Sequence, residues 1–400
     1  MDTLIPRDQY MDFLVRYRNK QIIKVISGIR RCGKSTLFEL FKEYLFSQGI
    51  DKSQVISINF EDISFEKLTD YKLLHDYITK RLCPEKMTYV FLDEIQHVHQ
   101  FEKAIDSLHI RKNIDIYLTG SNAYFMSGEL ATLLSGRYIE IRMLPLSFKE
   151  FCSATDDSLS LSKKYQRYVT HGSFPYTLQF DSNEQDINEY LNGLYNTIVL
   201  KDIIARYKIN DILMLESVIK FIFNNIGNRL SSSKIANTMA SNGRKIDIKT
   251  VEKYLSGLID SLIIYQAKRY NIKGRQYLRL QEKYYLADLG LRHMLLGGKG
   301  LDVGHILENV IFLELIRRGY QVFVGQSDNN EVDFVAMKSD ENLYIQVAAS
   351  VRDASTFKRE IKPLQNIEDN YPKVILTLDE DPEADYDGIK RVNALEWLLK

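Results

Sequence analysis

The chain has 400 residues, 45% of them hydrophobic and 26% charged, and its 53 Lys and Arg balance 53 Asp and Glu. Such a chain is folded but too long for one ordinary core, so roughly two to four domains are expected, and balanced charge confines any nucleic-acid surface to a local patch. Cys32, Cys83 and Cys152 form no CxxC pair, which excludes a cysteine zinc site or a disulfide framework and suits a reducing cytosol.

The start of the chain is acidic and broken by Pro6, unlike a signal peptide, and no apolar run approaches the ~18 residues of a membrane span. The chain therefore reads as cytoplasmic. Its first 145 residues alternate β-branched runs with helical patterns. Strands are predicted at 22–27, 55–60, 89–92, 115–119 and 138–143. The clearest helix is 34–48, where Leu37, Phe38, Leu40, Phe41, Tyr44 and Leu45 share one apolar face and Gly49 ends it. Alternation of this kind builds a parallel sheet covered on both faces.

Beyond Ser147 the strand signal stops. Residues 147–207 read as a small helical lid interrupted by Gly172-Ser173-Phe174-Pro175. Residues 208–290 show three helical patterns and then two strands, 263–271 and 276–286, on either side of Lys273-Gly274-Arg275. Gly297-Gly298-Lys299-Gly300 reads as a linker. A helix at 307–318 follows, with strands at 321–325, 332–337 and 343–347 and a final α/β pattern containing Trp397. The acidic run 379–385 reads as a solvated loop, and the 25 Tyr and 19 Phe as core and interface packing.

Chemistry enters at Gly28-Ile29-Arg30-Arg31-Cys32-Gly33-Lys34-Ser35, a full match to G-x-x-x-x-G-K-[ST]. Glycines let the backbone curl so that its N–H groups face phosphates, and the helix that follows points its positive end at them. Lys34 is expected on the β- and γ-phosphates and the Ser35 hydroxyl on Mg²⁺, with Thr36 completing the loop. The buried-strand pattern Tyr89–Leu92 ends in Asp93-Glu94, which suits Asp93 as a second metal ligand and Glu94 as the general base for water. Ser121 and Asn122, at the tip of the next strand, are candidates to sense the γ-phosphate, with an ordinary turn as the alternative. Arg137 is a candidate arginine finger, in its own subunit or a neighbour's. Arg30 and Arg31 are further candidates for phosphate contact, although solvent would suit them equally. His97 and His99 follow Glu94 closely, but surface or core roles suit them better than a metal site.

These motifs, with Phe91-Leu92-Asp93-Glu94-Ile95-Gln96, Leu118-Thr119-Gly120-Ser121-Asn122 and Leu134-Ser135-Gly136-Arg137, resemble an AAA-type P-loop domain. The resemblance is to a bacterial and archaeal ATPase family in which that domain is fused to a C-terminal domain of unknown function. It continues through Gly172–Pro175 and Leu200-Lys201-Asp202-Ile203 and covers nearly the whole chain. It implies ATP and Mg²⁺ as ligands and hydrolysis as the activity. The implied architecture is α/β multidomain: a parallel-sheet AAA-type P-loop core (1–146), the lid (147–207), a middle domain (208–290) and a restriction-endonuclease-like domain (301–400).

Three helices and then a hairpin is the order of a winged helix-turn-helix. Residues 208–285 carry 14 Lys and Arg against 6 Asp and Glu, an excess of eight positive charges in a neutral chain. Lys249, Lys253 and Arg275 are candidate DNA phosphate contacts, with protein contact as the rival role. In the last hundred residues, the resemblance is to a restriction-endonuclease-like domain, with Gly304-His305-Ile306-Leu307-Glu308-Asn309 beginning a helix and Glu331-Val332-Asp333-Phe334-Val335 a central strand. Active enzymes continue with Glu-x-Lys, where this chain has Gln346-Val347-Ala348. One acid and the lysine are lost, so nuclease activity is not expected unless Lys338 or Lys358 replaces the missing cation.

The favoured reading is a Mg²⁺-dependent ATPase whose nucleotide cycle rearranges a winged helix and a partner- or DNA-binding C-terminal domain. The rivals are a slow nucleotide-loaded switch that binds a protein partner and a DNA-stimulated remodelling ATPase. A homo-oligomer is expected if Arg137 acts in trans.

Overall fold

In the computed structural model the β-branched runs of the first 145 residues become five parallel strands: β1 (Ile23–Gly28), β2 (Val55–Asn59), β3 (Thr88–Asp93), β4 (Ile114–Ser121) and β5 (Tyr138–Met143). The structure describes residues 4–121, 134, 136–155, 158–180, 183–298, 302–327, 330–339 and 341–400. The strand order is β2-β3-β4-β1-β5. Every residue of β1 and β3 is buried, as befits strands covered on both faces.

Among the described residues, four α-helices accompany the sheet: α1 (Asp8–Tyr17), α2 (Lys34–Ser47), α3 (Tyr71–Thr79) and α4 (Phe101–His109). An aromatic cluster seats α2. Phe91 stacks on Tyr117 with 4.8 Å between ring centroids and meets Phe38 edge-on at 5.1 Å. Truncating a ring buried in this way costs about 3–5 kcal/mol, so α2 has little freedom to shift. The charge inside β1, Lys24, is fully buried and pairs with Asp115 of β4. Asp115 also accepts from the Tyr117 hydroxyl and the Asn19 backbone N–H, both at 2.8 Å. Burial pulls the Lys24 pKa down and Asp115 opposes the pull, which is how a charge survives inside a sheet.

The chain divides into two compact units, Met1–Pro145 with Asp260–Leu262 and Leu146–Ile259 with Ile263–Lys400. The second unit begins with α5 (Phe148–Ser153), α6 (Leu161–His171), α7 (Glu184–Thr197) and a π-helical stretch, Ile198–Ala205. Next come α8 (Ile212–Asn224), α9 (Ser232–Ser241), α10 (Ile248–Asp260), the hairpin β6 (Ile264–Asn271) and β7 (Gln276–Leu286), α11 (Leu289–Leu296) and α12 (Val303–Arg317). β8 (Gln321–Ser327), β9 (Asn330–Lys338), β10 (Glu341–Ala348), α13 (Ala354–Gln365), β11 (Lys373–Thr377), β12 (Ala384–Tyr386), β13 (Ile389–Asn393) and α14 (Ala394–Leu399) complete it.

The hairpin read as a wing is part of the C-terminal sheet. That sheet has eight strands in the order β12-β13-β11-β10-β9-β8-β6-β7. β6 runs parallel to β8, with Arg269 opposite Val324 and Asn271 opposite Gln326. Pairing gives the backbone groups along β6 partners that an isolated wing would leave to solvent. The glycine stretch at 297–300 therefore marks no break between compact units, and Gly297 instead ends α11 at φ 68°.

The helices read as a lid of the ATPase core belong to this second unit too. A buried carboxylate ties them in. Asp288 accepts from the backbone N–H of Ser173, from the Ser173 hydroxyl at 2.7 Å and from the N–H of Leu291 at 3.0 Å. Burial raises its pKa and the Ser173 donors hold it down. Gly172 makes the approach feasible, because at its φ of +83° a Cβ would stand 2.6 Å from Asp288 Oδ1. Gly172→Ala is expected to cost roughly 1–3 kcal/mol through strain and displacement of that carboxylate. Thermal denaturation of the full chain should show the loss, and an unchanged melting temperature would refute this account of the motif.

Candidate functional site

The chain must turn sharply between the end of β1 at Gly28 and the start of α2 at Lys34. Gly33 supplies the turn at φ 104°, a conformation that a Cβ penalises. Gly28 lets the loop lie against the end of β5, since a Cβ there would stand 2.4 Å from the Met143 carbonyl oxygen. The first turn of α2 therefore opens on the concave side of the loop, where backbone N–H groups and the helix dipole favour an anion.

Lys34, Ser35, Asp93, Glu94 and Thr119 meet at this edge of the sheet. Lys34 is only 5% exposed; its Nζ donates to the Gly28 carbonyl at 3.2 Å and lies 3.6 Å from Glu94 Oε1. Asp93 ends β3, and hydroxyls of Thr119 and Ser35 donate to it. Burial raises the Asp93 pKa, and those two hydroxyls restrain the rise. Glu94 follows in the left-handed region, φ 55° and ψ 48°, where a non-glycine residue stores strain that clusters at functional sites. Its backbone N–H donates to Thr119 Oγ1 at 3.0 Å and its carboxylate accepts from Gln96. An ammonium, a hydroxyl and two carboxylates at a helix N-terminus make a donor set that fits a magnesium triphosphate.

Sequence reasoning missed two residues here. Thr119 lies on β4 beside the end of β3 and links Asp93 to Glu94. Ser121 pairs with Gly28 through the strand backbone, and Asn122 lies outside the described residues. Arg7 is the other. It is 3% exposed and donates to the Cys32 carbonyl at 3.0 Å and the Leu144 carbonyl at 2.7 Å, clamping the loop to the segment after β5. Seven residues into the chain and outside any motif, it carried no signal. Burial pushes the Cys32 thiol pKa up, so this loop cysteine is kept as a neutral thiol. Of the loop arginines, Arg31 is exposed at φ 64° and Arg30 is half-buried.

Arg137 is placed away from the loop. It precedes β5, its carbonyl accepts from the N–H of Ile23 at the start of β1, and its guanidinium lies 3.6 Å from Asp106. β1 and β5 are parallel, so Arg137 sits at the sheet edge opposite Gly28. A finger acting on the loop of its own subunit does not fit this placement. His97 and His99 join no metal-ligand cluster among the described residues.

Comparison with known proteins agrees with this geometry. Residues 20–152 match the model of an AAA domain, and residues 162–302 match a domain of unknown function. An uncharacterized protein of Haemophilus influenzae is 39% identical over 401 residues, 99% of each chain. Another, from Methanocaldococcus jannaschii, is 31% identical across 85% of this chain and 77% of its own. A Walker-type ATPase of Pyrococcus abyssi shares the fold, with a TM-score of 0.50 and 17% identity over 73% of this chain and 95% of that one. The chain belongs to the AAA-type P-loop ATPase family. None of the described helices of this AAA-type protein is long and apolar enough to cross a membrane.

The second unit holds a polar cleft of about 760 Å³, lined by residues that include Arg229, Lys283, Glu308, Glu331, Asp333 and Glu360. Glu308, Glu331 and Asp333 converge here. Gln346 is clamped between them: its Oε1 accepts from the Asp333 N–H and its Nε2 donates to Glu360, both at 2.8 Å. The expectation that the cluster lacks a lysine is overturned. Lys283, on β7 of the hairpin, points into it, whereas Lys338 bonds the Arg318 carbonyl and Lys358 is exposed. Burial, reinforced by Glu308, pushes Asp333 up to about 8 against the pull of Lys283.

Arg7→Ala should remove two charge-assisted hydrogen bonds and leave buried carbonyls without them, at a cost of roughly 2–4 kcal/mol. Urea denaturation of the full chain measures this. A loss within about 0.5 kcal/mol would show that Arg7 does not clamp the loop.

Proposed function

We propose that this AAA-type protein hydrolyses ATP with Mg²⁺, and that its second unit responds to the nucleotide cycle. The observation supporting this reading is the meeting of Lys34, Ser35, Asp93, Glu94 and Thr119 at one sheet edge, with Glu94 in a strained conformation. Lys34 would neutralise the β- and γ-phosphates. Glu94, released from Lys34, would accept a proton from the attacking water. Ser35 and Asp93 would hold the metal ion, which supplies charge neutralisation for the transferred phosphoryl group. Thr119 would position both carboxylates.

The experiment is steady-state phosphate release together with nucleotide binding by calorimetry. Lys34→Ala should abolish binding. Glu94→Gln should bind ATP within a few-fold of the native chain but hydrolyse it roughly 100-fold more slowly or worse. Thr119→Val should reduce turnover roughly tenfold or more with little change in ATP affinity. Normal turnover by Glu94→Gln would remove that residue from the role of base.

A DNA-stimulated cycle is the second reading, supported by the exposed Lys249 and Lys253 on α10 and Arg275 at the hairpin turn. ATPase rate and DNA retention, each followed across a salt series, test it. If the three act as phosphate contacts, affinity should fall steeply with salt, and replacing them with alanine should flatten the dependence. Salt-independent retention, or none, would sink it.

A further inference from the structure

The acids of the C-terminal cleft surround a cation that the chain itself provides. Lys283 Nζ lies 2.7 Å from Glu308 Oε1, 2.9 Å from Glu331 Oε1 and 3.7 Å from Asp333 Oδ1. The lysine side chain is 4% exposed and that of Glu308 5%. The carboxylates have further donors of their own. The Tyr285 hydroxyl reaches Glu308 Oε1, Arg229 bonds Glu331 Oε2, and the Val347 N–H donates to Asp333 Oδ2 at 2.9 Å. Gln346, where an acid would complete a nuclease's metal shell, is a neutral amide committed to Asp333 and Glu360.

Oxygen ligands bind Mg²⁺ at about 2.0–2.1 Å and Ca²⁺ at about 2.3–2.6 Å, so either ion would need the space the ammonium holds. Moving Lys283 aside would leave a buried ammonium stripped of its partners, which is strongly destabilising. A tethered cation also loses no freedom of translation in binding, which a free ion does.

We infer that Lys283 is the resident cation of this cleft, standing where a divalent metal ion would sit among Glu308, Glu331 and Asp333, so that the second unit keeps its acid cluster assembled without metal. The lysine is thus neither a catalytic residue nor a surface charge. It is the counter-ion that converts a metal-binding arrangement into a metal-independent one. The inference does not depend on the ATPase reading.

The test is Mn²⁺ binding to the nucleotide-free full chain by electron paramagnetic resonance, with thermal melting alongside. The native chain should take up no Mn²⁺ at the cleft, and its melting temperature should not respond to the ion. Lys283→Met, which keeps the aliphatic stem but removes the charge, should gain a site at least roughly tenfold tighter than any native binding. The same variant should melt lower than the native chain and recover several degrees when Mn²⁺ is added. Adding Glu308→Gln to it should abolish the gain. A folded Lys283→Met chain with no new Mn²⁺ site would overturn the inference. If the variant does not fold with or without the ion, iron(II)-directed backbone cleavage of the native chain decides: cuts close to Asp333 refute a resident lysine, and their absence supports it.

Discussion

Strand polarity is the constraint on which the nucleotide-site geometry depends. In a sheet whose strands all run one way, the residues that end the strands meet at one edge and those that begin them meet at the other. β4 lies between β3 and β1, so Gly28, Asp93 and Thr119 arrive at one edge although more than sixty residues separate the first from the second. The same polarity carries Arg137 to the far edge, because it precedes its strand instead of following it. The buried Lys24–Asp115 pair and the stacked rings of Phe91 and Tyr117 keep these strands in register beneath the loop. They are ordering devices for the sheet, and the ion pair lies towards the starting ends of β1 and β4, away from the polar edge.

Much of the first unit was legible because its signals are local. Loop glycines, a strand of apolar residues and a carboxylate at its end are each written within a few residues. What escaped notice depends on partners distant in sequence. Arg7 matters only because Cys32 and Leu144 bring their carbonyls to it. Thr119 looked like one more β-branched strand residue, and the tip beyond it drew attention for being polar. The pairing of β3 with β4 instead brings the Thr119 hydroxyl to Asp93.

In the second unit, element types were readable but their grouping was not. Helical and strand periodicities report which face of each element is buried, and they say nothing about which neighbour buries it. A glycine-rich stretch between two such patterns invites a domain boundary. Here β6 pairs across it with β8, a parallel contact that no hairpin signal announces. Gly172-Ser173 likewise looked like an interruption in a helical lid. It is a docking point for Asp288, a carboxylate more than a hundred residues away in sequence.

Two of the buried lysines, Lys34 and Lys283, show how similar side chains acquire opposite characters. Lys34 stands at the start of a helix, held by one carbonyl and by a carboxylate 3.6 Å away. Both partners can be given up to a phosphate, which offers an ammonium more charge than either. Lys283 is enclosed by three carboxylates, two of them within 2.9 Å, and each already has a second donor. Any ligand that drew it away would have to compensate those acids as well as the lysine. The first arrangement is poised for exchange and the second for permanence. The difference lies in the number of partners each ammonium must leave, since both side chains are buried to nearly the same degree.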